Sequence, residues 1–179
     1  MTNAARRRSP RLRALGFSMV ESLVATAIAG VLAAASLPRF AEALDRQRLT
    51  ATTNELVLAV NLARAEATAR KTRVAIAPRA RDDWSSGWRV FVDENGNGRF
   101  DTGEHIVRDF ADAPERMTID PRFGSFDGHV LSFDHAGHLR RPNSNGMLLG
   151  RFVLRLGSEV RALCFSAAAL RTLRTAVCT

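Results

Sequence analysis

The sequence predicts an α+β protein, with one long N-terminal helix packed by its second half on an antiparallel β-sheet domain. Three observations carry that prediction. Residues 17 to 38 form an apolar run of 22 residues whose one charge is Glu21. Leu49, Leu56, Val60, Ala63 and Ala67 then recur at spacings of 7, 4, 3 and 4, which places them on one face of a helix. Beyond residue 71 the apolar pattern shortens into alternating segments separated by Gly and Asn, the mark of strands and turns.

The charge of +8 is unevenly distributed. Residues 1 to 16 hold five arginines and no acid, residues 17 to 133 are nearly balanced, and residues 134 to 179 hold seven arginines against Asp134 and Glu159. A basic leader therefore precedes the apolar run. As a helix that run reaches about 33 Å, enough to cross a bilayer. Three readings compete for it. A secretory signal would be cut after Ala35 in "VLAAAS". A plain transmembrane anchor would simply be retained. Neither accounts for Glu21, since an acid in the bilayer is costly and calls for a partner.

The third reading does account for it. Gly16-Phe17-Ser18-Met19-Val20-Glu21, followed by the apolar run, resembles the class III leader of type IV pilins and pseudopilins. The resemblance implies cleavage between Gly16 and Phe17 by a prepilin peptidase and methylation of the new Phe17 amine. It also implies that Glu21 neutralises the Phe17 amine of a neighbouring subunit during assembly. A charge buried in an apolar core is tolerable only when paired, so the acid acts as a register key.

On this reading residues 1–16 are a cleaved leader, 17–38 a transmembrane and assembly helix, 39–70 its amphipathic continuation, and 71–179 a β-rich domain. The helix ends near Arg70, with Arg46, Gln47, Asn54, Glu55, Asn61 and Arg64 on its polar side. Strands are expected at 72–78, stopped by Pro78, and at 87–93, 104–110, 129–134, 147–156 and 159–166. "LARAEATARKTRVAI" at 62–76 and "WSSGWRVFVDENGNGRFDTGEHIVR" at 84–108 are similar to the GspH/FimT family of minor pseudopilins. That family implies a single-pass inner-membrane subunit with a periplasmic domain. Its partners are other major and minor pilins or pseudopilins, in a type IV pilus or a type II secretion system.

"DENGNGRFDTGE" at 93–104 matches the EF-hand loop pattern, with Asp93, Asn95, Asn97, Gly98, Asp101 and Glu104 at loop positions 1, 3, 5, 6, 9 and 12. Its flanks alternate as strands, however, whereas an EF-hand loop joins helices, and Asn and Gly also serve a hairpin tip. The sequence thus favours a solvated hairpin without metal, calcium being the alternative. His129, His135 and His138 fit no metal spacing and read as surface residues around a Gly137 turn. No nucleophile elbow or phosphate loop is present, so neither catalysis nor a cofactor is expected.

Two features of the C-terminal quarter depend on the resemblance. Cys164 and Cys178 bracket 13 residues. In a reducing compartment they would be thiols, but the export that the family implies makes them a disulfide. The FimT-like branch also carries a C-terminal "GRxR" turn implicated in binding double-stranded DNA for uptake. This chain departs from it, with Ala169 and Leu170 where Gly and Arg would stand and Arg171 and Arg174 as the nearest basic pair. With Arg151, Arg155 and Arg161 they are the DNA-binding candidates. A solubilising basic face, or contacts with acidic neighbours, is the competing account.

Overall fold

The computed structural model describes residues 18–123, 130–142, 144, 146–166, 170–173 and 175–178, without the side chains of 35–38. In chain order the elements are α1 (Met19–Arg70), β1 (Val74–Ala80), β2 (Asp83–Val92), β3 (Ile106–Asp109) and β4 (Thr118–Phe123). They continue with β5 (Leu131–Phe133), β6 (Leu139–Arg140), β7 (Gly150–Leu156), β8 (Glu159–Phe165) and β9 (Leu170–Leu173). The chain divides into two compact units, residues 1–40 and 41–179, and α1 contributes to both.

In the first unit every described side chain from Ser18 to Ala34 is exposed, so the helix there has no packed face. Its polar groups are satisfied locally: the Ser22 amide donates to the Ser18 carbonyl at 3.1 Å and Thr26 Oγ1 to the Ser22 carbonyl at 2.9 Å.

The second unit is α+β. From residue 41 on, α1 buries Leu49, Thr52, Thr53, Leu56, Ala59, Val60, Ala63 and Ala67. The apolar stripe read from the sequence is thus the buried one, widened by two threonines and Ala59. Thr53 is tolerated because its Oγ1 donates to the Leu49 carbonyl at 2.6 Å. The helix ends at Arg70, as expected. Lys71 adopts a left-handed φ of 53° and the Thr72 amide reaches back to the Ala67 carbonyl at 3.3 Å, a Schellman closure built without glycine.

Two antiparallel sheets follow, ordered β3-β2-β1-β5-β6 and β4-β7-β8-β9 among the described residues. Val74 and Ile76 of β1, Trp84, Trp88 and Val90 of β2, Phe152 and Leu154 of β7 and Leu163 of β8 meet the helix stripe in one core. Trp84 and Phe152 join the two sheets edge to face, 4.5 Å apart.

Several boundaries depart from the sequence reading. β1 runs through Pro78, which pairs with Trp88 before a bulge, because β5 lies alongside only Val74–Ile76 and the missing N–H removes no bond there. β2 begins at Asp83, four residues early. β4 was not anticipated, since Pro121 argues against a strand; it is an edge strand, where proline is allowed. β6 and β9 are two and four residues long, too short to leave a pattern. The Cys164–Cys178 disulfide is formed, with 6.0 Å between Cα atoms, and ties the C-terminal segment to β8.

Candidate functional site: an uncovered helix and a basic sheet face

Glu21 lies in the first turn of α1, where a carboxylate is favoured by the helix dipole. Around it Met19, Val20, Leu23, Val24, Ile28, Val31 and Leu32 are all between 52 and 86% exposed. This segment contains a stretch of mean hydropathy 1.8, long and apolar enough to cross a membrane, with none of it buried within the chain. Isolated exposed leucines are ordinary on a protein surface, but an uninterrupted apolar helix is not. Among the described residues nothing within the chain covers it. Gly16 and Phe17 lie outside the described residues, as does any contact they make.

The basic residues of the C-terminal quarter are sorted by strand alternation. Across the four-stranded sheet Arg122 of β4 pairs with Arg151 of β7, Arg151 with Cys164 of β8, and Cys164 with Arg171 of β9. Residues directly opposite one another share a face, so Arg122, Arg151 and Arg171 stand in one row on the face away from the core. Arg155, four residues beyond Arg151, shares it. Arg161 does not. It pairs with Leu154, has the parity of Leu163 and Phe165, and reaches α1, donating to Thr50 Oγ1 at 2.8 Å. Of the five arginines proposed from the sequence, three therefore share a face, Arg161 turns to the helix, and Arg174 lies outside the described residues.

Arg122 was missed because its strand was hidden behind Pro121; once β4 is recognised, its parity is plain. Like charges directly opposite are unfavourable. The Arg122–Arg151 pair is relieved on one side by Asp120, 2.6 Å from Arg122. Arg151 has no such relief: its Nε is buried without a hydrogen-bond partner among the described residues.

The loop at 93–104 joins β2 to β3, as expected of a hairpin. It is not a plain solvated tip. Asp93 is 1% exposed, and its Oδ2 accepts the Gly98 amide at 3.0 Å. Asn95 Oδ1 accepts the Asn97 amide, Asn97 Oδ1 accepts the Arg99 amide, and both side-chain amides donate to Asp101 Oδ2 at 2.8 Å. Glu104 closes the ring by accepting the amides of Glu94 and Asp101. Burial raises the Asp93 carboxyl above its ordinary range despite the Gly98 bond, whereas donation from Asn95 and Asn97 lowers that of Asp101.

The histidines make no such cluster. His135 and His138 are exposed on the β5–β6 turn around Gly137, which has φ 76°; His129 lies outside the described residues. Asp134 organises that turn, its Oδ1 accepting the amides of Ala136 and His138 while Arg140 Nε donates to Oδ2 at 3.0 Å.

A long N-terminal helix with an uncovered apolar start, continuing into a helix-on-sheet head, defines the pilin-like class of filament subunits. The chain belongs to the GspH family, whose model, described as type II transport protein GspH, matches residues 52–169. It is 28% identical over 153 residues to the pilin-like protein PilA1 of Thermus thermophilus, covering 84% of this chain and 92% of that protein. Its fold is similar to that of the type IV minor pilin FimU of Pseudomonas aeruginosa, with a TM-score of 0.52 and 20% identity over 70% of this chain and 88% of the other. The family is one of structural subunits rather than enzymes, and it implies assembly with other pilins.

Proposed function

We propose that this chain is a minor pilin of a type IV pilus. A prepilin peptidase cuts it between Gly16 and Phe17, and residues 17–38 hold it in the inner membrane with the β-rich domain in the periplasm. The same helix then packs into the filament. The observation that carries this reading is the uncovered apolar segment with Glu21 in its first turn. A buried carboxylate needs a cation, and the Phe17 amine of a neighbour is the one that cleavage would create. The description of the family model favours a second reading, a minor pseudopilin of a type II secretion system with no nucleic-acid role. Blocking cleavage tests what both share. Gly16→Ala should leave the chain at full precursor size in the membrane and absent from filaments; processing at the normal rate would overturn the leader assignment.

Within the pilus reading, the row of Arg122, Arg151 and Arg171 gives a face suited to double-stranded DNA, contacting phosphates without reading sequence. Binding by the full chain in detergent should fall steeply with salt and drop several-fold in Arg151→Ala/Arg171→Ala. Arg161→Ala, on the opposite face, should leave it unchanged. Equal losses in both variants, or no binding at low salt, would remove DNA from the account and favour the secretion reading.

A further inference from the structure

The four-stranded sheet is covered on the side that faces away from the core. Phe152, Leu154, Leu163 and Phe165 belong to the core, so by alternation Arg151, Val153, Ala162 and Cys164 stand on the outer face. An outer face open to water would leave them exposed. Instead Val153 is 3% exposed and Ala162 0%, although both lie outside the two apolar clusters of the domain, and Cys164 is buried beside them. Arg151 is partly covered too, its Nε shut off from water without a hydrogen-bond partner among the described residues.

The disulfide accounts for a cover at this place. Arg151 pairs with Cys164 and Cys164 with Arg171, so the bridge rises between two arginines whose backbones are about 10 Å apart across three strands. Cys178 is thereby carried onto the outer face, its Cα 6.0 Å from that of Cys164. Thr175 and Val177 are exposed while Ala176 and Cys178 are half-buried, the alternation of a chain lying flat on a surface. The segment adds no strand to the sheet. Thr175 Oγ1 donates to the Val177 carbonyl at 2.9 Å, a bond inside the segment. Among the described residues no backbone hydrogen bond joins Thr175–Cys178 to β7, β8 or β9, so the covalent bond is its fastening.

We propose that Thr175–Cys178 is a strap over the basic face, and that opening the Cys164–Cys178 bond lifts it and uncovers Arg151. The use of such a strap rests on the DNA reading of this face. With the bond closed, Arg122 and Arg171 are exposed at the ends of the row and Arg151 between them is half-buried. With the bond open, a third guanidinium becomes available to a phosphate. The opening step is thiol–disulfide exchange with a dithiol, which attacks one sulfur and breaks the S–S bond. The dithiol is oxidised to a disulfide, and Cys164 and Cys178 take up its two electrons and two protons as thiols.

The test is hydroxyl-radical footprinting of the full-length chain in detergent micelles, before and after reduction with dithiothreitol and alkylation of the thiols. Binding of double-stranded DNA is measured on the same samples. Reduction should raise labelling of Val153 and Arg151 several-fold and leave Leu154, on the core face of the same strand, protected. The salt dependence of DNA binding should steepen by about one phosphate contact. Cys178→Ser should give the same labelling without reductant. Unchanged labelling of Val153 and Arg151 would overturn the proposal, whatever the DNA result. A matching rise at Leu154 would overturn it as well, because the disulfide would then hold the sheet together rather than close its face. Labelling that opens with no DNA bound in either state would uphold the strap and remove DNA from the face. Labelling that opens while DNA binds with an unchanged salt dependence would overturn the regulation, since the uncovered arginine would meet no phosphate.

Discussion

The two halves of α1 share a backbone conformation and differ in why they hold it. From Ser18 to Ala34 every described side chain is exposed, and the apolar residues run all round the helix. From Leu49 to Ala67 a stripe of Leu49, Leu56, Ala59, Val60, Ala63 and Ala67 is buried to 4% exposure or less, while the opposite side is mostly polar, with Leu58 the large apolar exception at 44% exposed. The second half is stabilised by burial within its own chain, as most protein helices are. The first half has no such source, so what stabilises it lies outside the molecule. One element therefore combines the core of a domain with an uncovered apolar segment, which on the function proposed above is the adhesive of an assembly.

The sharpest way to break this contrast is to truncate one leucine in each half. Leu56 is fully buried, and Leu56→Ala should cost about 3 kcal/mol and lower the Tm by roughly 5–10 °C. Leu23 is 68% exposed, and Leu23→Ala should move the unfolding of the head by less than about 0.5 kcal/mol. Thermal melts of both variants in the same detergent read the difference directly. Comparable losses would mean that the first half is part of the folded core.

A smaller effect tests the head alone. Burial pushes the Asp134 carboxyl up, but the amides of His138 and Ala136 and the Arg140 guanidinium outweigh it and hold its pKa below the ordinary value. A depressed folded-state pKa contributes stability above the unfolded value, and that stability is lost as pH falls through the folded one. Asp134→Asn should therefore cost about 2 kcal/mol near pH 7 and flatten the loss of stability below about pH 4. Urea midpoints across that range check it; an unchanged acid limb would show that Asp134 is not its source.

The smallest prediction concerns the junction of helix and sheet. Lys71 holds a left-handed conformation that costs a residue with a Cβ about 1 kcal/mol. Lys71→Gly should raise stability by about 0.5 kcal/mol, the gain reduced by the greater freedom of glycine in the unfolded chain. A loss measured in urea would mean that the lysine side chain contributes more than its backbone costs.

Much of this was legible in the sequence because it is local. The helix stripe, its end at Arg70, the apolar run and the strands around the 93–104 loop follow from periodicities of 3.6 and 2. What was missed depends on neighbours. β4, which holds Pro121, is not among the strands expected from the sequence, because a sequence does not say which strands lie at an edge, where proline is allowed. The basic face was only partly visible, since Arg122 and Arg151 become partners through register between distant strands. Arg161 is a different case. Its parity with Leu163 and Phe165 was in the sequence all along, and alternation alone would have separated it from Arg151 and Arg155. The burial of Asp93 and the packing of Phe100 against Phe91 are tertiary features that the loop pattern does not contain.

The most direct test of the central claim, that the first half of α1 is an assembly segment keyed by Glu21, is the filament content of Glu21→Val compared with its membrane content. The account predicts normal cleavage, normal membrane retention and an unchanged Tm of the head, with the subunit largely lost from filaments. Filaments that carry the variant at the wild-type level would contradict it.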